Sequence, residues 1–175
     1  MINVKDILQT YCEGNQPLFD ILWSHGNSVA QKALEIAHLH PEWHLDEAFI
    51  YEAAMLHDIG VTQCDAPGIH CHGTSPYLTH GVLGATLMRN EGREDLARIC
   101  ERHTGTGLTV ENIRAQGLPL PERDLLPETL EEQVICYADK FFSKSGAMQE
   151  KPLDKVRASM SRHSSDSLAR FDELH

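Results

Sequence analysis

The chain lacks the features that would carry it into or across a membrane. No apolar run approaches the roughly 18 residues that mark a candidate span. The opening Met1-Ile2-Asn3-Val4-Lys5-Asp6 has no basic region, apolar stretch or small-residue cleavage site of a secretory signal. The cytoplasm is therefore the expected location, with no membrane partner. A disulfide framework is missing as well. Cys12, Cys64, Cys71, Cys100 and Cys136 are odd in number and irregularly spaced, which fits reduced thiols. Positive charge is scarce: 15 Lys and Arg stand against 26 Asp and Glu, for a net charge of -11 with histidines neutral. That balance argues against a general nucleic-acid surface, so no nucleic-acid partner is expected. An acidic protein still binds an anion where a bound cation dominates the local field. Repeats, low-complexity tracts and interdomain linkers are also absent, so 175 residues suggest one domain over 1–175.

What is present is helical periodicity and a surplus of histidine, 11 residues in all. No stretch reads as a strand, and the fold class expected is all-α. The pattern predicts helices near 2–12, 17–39, 46–57, 79–91, 94–104, 128–144 and 152–172. A break is expected in the second around Gly26-Asn27, because glycine is unfavourable inside a helix. In the last, Val156, Met160 and Leu168 are expected to face the body. Two long irregular loops, about 61–76 and 104–127, are rich in glycine and proline, and such loops are often functional.

Ligand-type side chains fall where core residues belong. His25 shares a helical face with Leu18, Leu22 and Val29, and His80 with Leu83, Gly84 and Leu87. His103 follows Leu96, Ile99 and Cys100 at the same spacing, and Asp139 lies on a stripe with Ile135, Cys136 and Phe142. One such histidine is usually a hydrogen-bonded core residue. Four ligand-type groups together, with a carboxylate among them and no lysine or arginine on those stripes, call for a shared cation. His57-Asp58 closes an apolar helix, where neighbouring residues project about 100° apart and approach one ion from two directions.

The segment Ala54-Met55-Leu56-His57-Asp58-Ile59-Gly60 resembles the signature of the HD superfamily of metal-dependent phosphohydrolases, in its HDIG form. His25-Gly26-Asn27-Ser28-Val29-Ala30 resembles the family's first ligand histidine, and Tyr137-Ala138-Asp139-Lys140 its closing aspartate motif. The resemblance runs from His25 to about Lys144 and implies a compact helical bundle in which His25, His57, Asp58 and Asp139 ligate a metal. His80 and His103 match the two further histidines of the family's six-ligand branch. That implies a dinuclear centre of iron, manganese or zinc, bridged by Asp58, which is also the catalytic residue.

Hydrolysis of a phosphomonoester or nucleotide phosphoanhydride by metal-activated water is the activity implied. A di-iron oxygenase and a non-catalytic metal- or nucleotide-binding regulator are the alternatives. Arg102, Lys140 and Lys144 lie near the ligands in sequence and are candidate substrate-binding residues, and Thr104–Gly107 offers candidate backbone amides. The Cys64–His72 loop is either a small zinc site or, more in keeping with its spacing, a wall over the cleft, with His70 and His72 near substrate. His38, His40, His44, His163 and His175 are expected at the surface. No recognition motif for a base or ribose and no partner-binding segment stands out.

Overall fold

Helix starts are written into the sequence as side-chain caps. Asn3 accepts from the amides of Lys5 and Asp6 to open α1 (Val4–Cys12), and Asn15 accepts from Leu18 to open α2 (Gln16–Leu39). Asp46 does the same for Phe49 at the head of α3 (Glu47–Leu56). The computed structural model describes residues 2–145, 149–163 and 165–175, apart from the side chains of His163 and Ser165. The expectation for the His163 side chain thus lies outside the described residues. Further on come α4 (His80–Asn90), α5 (Glu94–Arg102), α6 (Val110–Gln116), α7 (Leu130–Asp139), α8 (Leu153–His163) and α9 (Ser165–Leu174). Thr129 and Glu132 form a reciprocal capping box at the start of α7.

The architecture is all-α, with four corrections to the expected elements. First, α2 runs unbroken through Gly26-Asn27. Gly26 is there for contact, since a Cβ would sit 3.0 Å from the Met55 Cα and force α2 away from α3. Second, both expected loops contain regular structure. Residues 61–76 hold a hairpin of two-residue strands, β1 (Asp65–Ala66) against β2 (Cys71–His72), with a 3₁₀ turn, Pro67–Ile69, between them. Residues 104–127 contain α6, which Thr109 caps and Gly117 ends in the left-handed conformation. Third, the expected 128–144 helix stops at Asp139, where the chain tightens into i→i+3 bonds from Lys140, Phe141 and Phe142. Fourth, the last predicted helix is two, α8 and α9.

One apolar cluster joins α1 to α5 and α7, with Leu8, Ile50, Leu56 and Ile135 fully buried in it. A second gathers Phe141, Val156, Met160 and Phe171, with Leu168 partly buried against it. The expected inward residues of the C-terminal segment therefore do face the body. Among the described residues no helix is long and apolar enough to cross a membrane.

Candidate metal centre

The close of α3 sets the site. The His57 Nδ1–H donates to the Ala54 carbonyl at 2.6 Å, and the chain then tightens into a 3₁₀ turn from Ile59 to Gln63. A Cβ on Gly60 would lie 2.0 Å from the His80 carbonyl oxygen and 2.3 Å from the Gly84 nitrogen. Only glycine lets this turn touch α4, which brings His57-Asp58 against His80.

Six side chains from five places in the chain then meet. The His25 Nε2 lies 3.1 Å from the Asp58 Oδ2 and 3.0 Å from the Asp139 Oδ1. The His57 Nε2 faces the same two oxygens at 3.0 and 3.3 Å. On the other side, the Nε2 atoms of His80 and His103 stand 3.4 and 3.3 Å from the Asp58 Oδ1. Two donor groups result, His25-His57-Asp58-Asp139 and Asp58-His80-His103, each with its ligand atoms within 4.8 Å of one another. Asp58 belongs to both through different oxygens.

Tautomers are set from behind. His80 Nδ1 faces the Tyr77 carbonyl at 2.7 Å and His103 Nδ1 faces that of Cys100 at 2.7 Å, as His57 does Ala54. A carbonyl oxygen only accepts, so each Nδ1 carries a proton, and the neutral rings of His80 and His103 turn a lone pair inward from Nε2. The lone pairs of His80 and His103 face each other across 3.0 Å. Two acceptors at that distance repel unless a positive charge lies between or beside them. The His57 Nε2 and both Asp58 oxygens are buried without a hydrogen bond of good geometry. Orphaned buried acceptors of this kind are rare in proteins. Ion–ligand distances of about 2.0–2.2 Å place ligands of one ion some 3–4 Å apart, so the donor spacing fits a first-row divalent metal.

The electrostatics agree. Burial opposes ionisation of Asp58, but His57 and Lys144 outweigh it and hold the carboxyl well below its ordinary range. Asp139 is held down likewise, against burial, by Lys140, His25 and His57. Burial would lower the His57 pKa, yet Asp58 and Asp139 raise it to about 9. The carboxylates thus call for positive charge at the Nε2, supplied by a proton or by a metal. Burial pushes His80 down to about 3 despite Asp58, with His103 and Lys144 adding to the effect, and burial lowers His103 too. Both rings are therefore neutral, the form that ligates.

Around this centre the basic candidates separate. The Lys140 Nζ donates to the Asp139 Oδ2 at 2.7 Å and to the His103 carbonyl at 2.8 Å. The Lys144 Nζ lies 2.6 Å from the Asp58 Oδ2. Arg102, expected beside substrate, is elsewhere: its guanidinium is taken up by the Leu126 carbonyl at 2.6 Å and Glu128 at 2.9 Å. The Thr104–Gly107 segment is also committed internally. The Gly107 amide bonds the Thr104 carbonyl, and the buried Thr106 hydroxyl donates to the Ser167 carbonyl on α9.

A cavity of about 480 Å³ opens onto Asp139 and is lined by Lys140, Lys144, Lys151, Tyr77 and Ile69 among others. The 61–76 loop supplies wall through Ala66, Gly68 and Ile69, whereas His70 and His72 are exposed and lie outside the lining. Cys64 and Cys71 are buried thiols, and no metal cluster among the described residues includes them. His38, His44 and His175 are exposed and His40 partly so. Tyr77, whose ring stacks on His80 at 4.8 Å, and Lys151 were not among the expected site residues. Neither lies on a helical stripe, so periodicity carried no signal for them.

The family model described as HD domain matches residues 22–143. A tRNA (cytidine(56)-2'-O)-methyltransferase of Picrophilus torridus is 31% identical over 157 residues, 89% of this chain and 41% of that protein. Its namesake in Thermoplasma volcanium is 32% identical over 158 residues, with the same shares. The chain thus spans about two-fifths of the length of these relatives. An uncharacterized protein of Methanocaldococcus jannaschii is 35% identical over 136 residues, 76% of this chain and 69% of that one. No solved structure matches. The family match runs across all six converging donors, from His25 to Asp139, and the chain belongs to the HD domain family.

Proposed function

We propose that the chain is a metal-dependent phosphohydrolase with a dinuclear centre, acting on a small phosphorylated molecule. The observation that carries this reading is the pair of imidazole lone pairs 3.0 Å apart beside a buried carboxylate whose Oδ1 has no hydrogen bond. His25, His57, Asp58 and Asp139 would hold one ion, and Asp58, His80 and His103 the other. Iron, manganese and zinc all suit this mixture of imidazole and carboxylate. When bound, such ions lower the pKa of a coordinated water and polarise phosphoryl oxygens.

The chain's own groups do the rest. Asp58 bridges the two donor groups and orients the nucleophile. Burial works against the Lys144 ammonium, but Asp58 and Asp139 overcome it and raise its pKa. It therefore acts as a fixed positive charge toward the phosphate and not as a proton donor. Lys140, tied between Asp139 and the His103 carbonyl, positions a ligand from each donor group. Tyr77 and Ile69 provide an apolar wall for the organic part of the substrate.

The names of two relatives favour a second reading, in which the phosphate belongs to RNA. Those names describe proteins more than twice the length of the matched stretch. The net charge of -11 favours the small molecule. Methyl transfer is not proposed, because inward lone pairs and carboxylates form a cation cage. The test is metal analysis of the purified protein, combined with a phosphate-release screen over nucleotides, sugar phosphates and tRNA. About two ions per chain and release from a small substrate are expected. A metal-free protein that releases no phosphate would end the reading. An iron-loaded, air-sensitive protein without phosphatase activity would replace it with an oxygenase.

A further inference from the structure

Three of the chain's six lysines line one cavity, although the protein as a whole is strongly acidic. They are not equivalent. Lys140 and Lys144 each have a carboxylate partner on the metal centre, Asp139 and Asp58 respectively. The Lys151 ammonium has no ion pair and no side-chain hydrogen bond among the described residues. Its backbone is nonetheless held, since its amide donates to the Phe141 carbonyl at 2.8 Å.

We propose that Lys151 forms a second anion subsite at the mouth of the centre, selecting substrates that carry a further phosphate beside the one hydrolysed. This rests on the phosphohydrolase reading and narrows its substrate to a diphosphate-type phosphoanhydride in preference to a simple monoester.

Charge and geometry support it together. A phosphate held at the donor groups would sit beside Asp139 and Lys144 in the cavity, and Lys151 lines the same cavity without an ion pair to Asp58 or Asp139 among the described residues. Burial pushes the Lys151 pKa down; Asp139 works against that, and Lys140 and Lys144 add to it. Crowding a third, unpaired cation beside two others is unfavourable until an anion arrives, so the site gains most from a ligand with more than one negative group. A monoester leaves Lys151 unmatched. The apolar lining of Ile69, Phe142 and Met160 leaves room for an organic remainder past the second phosphate.

The proposal is tested by titrating metal-loaded wild-type protein, Lys151→Ala and Lys151→Arg with inorganic phosphate and with methylenediphosphonate, a diphosphate that is not hydrolysed. Calorimetry reads the affinities, and metal content is checked before and after each titration. Lys151→Ala is expected to weaken diphosphonate binding about tenfold or more, which corresponds to losing one charge-assisted contact. Orthophosphate binding should change less than about twofold, and Lys151→Arg should retain most of the diphosphonate affinity. Equal losses for both ligands, an unchanged diphosphonate affinity, or metal lost from Lys151→Ala would each overturn the subsite alone. Wild-type protein that holds its metal yet binds neither ligand would overturn the phosphohydrolase reading, and the subsite with it.

Discussion

Two of the places where charged side chains gather around buried carboxylates are built to opposite rules. One is a cavity of about 730 Å³ lined by Ile2, Glu52, Arg93, Arg98 and Glu132 among others. Arg93 joins Glu52 at 2.9 Å and Asp95 at 2.7 Å, while Arg98 joins Glu132 at 2.7 Å and Glu128 at 2.9 Å. Even the leftover carboxylate oxygens are used: Glu52 accepts the Ile2 amide and Glu132 the Glu128 amide. The other is the metal centre with its smaller cavity of about 480 Å³. There the acceptors outnumber the donors: the His57 Nε2 and the Asp58 Oδ1 are left without hydrogen bonds, and the Asp58 Oδ2 has the Lys144 ammonium beside it. Size does not distinguish the two; satisfaction does. A matched network stabilises the fold and asks for nothing more, whereas an unmatched one is a binding site.

Substitutions should separate the two places, and the largest effect on turnover is expected at Asp58. Asp58→Ala removes the one residue shared by both donor groups. Metal should fall toward zero per chain and turnover by more than the roughly 10–100-fold that changes behind a ligand produce. An active variant that keeps both ions would break the comparison outright. His80→Ala should be milder, because it takes a donor only from the group of three. Metal analysis is expected to drop from about two ions to about one, and retention of two would take His80 out of the centre. Lys140→Met keeps every ligand but frees Asp139 and the His103 carbonyl from their shared clamp. A loss of roughly tenfold in metal affinity is expected, measured by competition with a chelator.

Arg93→Ala completes the series with no expected effect on metal or turnover. It leaves Glu52 buried with only the Ile2 amide. Stripping one partner from a buried pair costs about 3–5 kcal/mol, and the partial exposure of Arg93 reduces this to roughly 2–3 kcal/mol. For a chain of this size the melting temperature should fall by about 4–12 °C. Turnover lost at constant stability in this variant would mean the larger cavity takes part in function after all.

Particular residues show how far the sequence could be read. The stripes bearing His25, His80, His103 and Asp139 were visible because a ligand on an apolar helical face violates the pattern around it, and all four are buried where the stripe implied. The segment around His57-Asp58 was legible as a resemblance, and Gly60 now has a physical reason in its contact with α4. The partners of Arg102 were not legible. Nearness to His103 in sequence carries no information about Leu126 and Glu128, which take its guanidinium. The hairpin at Asp65–His72 and α6 were missed because two-residue strands and a seven-residue helix are too short to show a period.

The amino-acid sequence alone determined that His25, His80, His103 and Asp139 would face inward, since that follows from the 3.6-residue repeat acting over a few neighbours. Tertiary structure alone decided how they combine. His25 meets Asp139 across 114 positions, one Asp58 oxygen turns to each donor group, and Lys151 is left, among the described residues, as the unpaired cation of three in the cavity. Such pairings depend on how whole helices pack, and no local rule of spacing reaches that far.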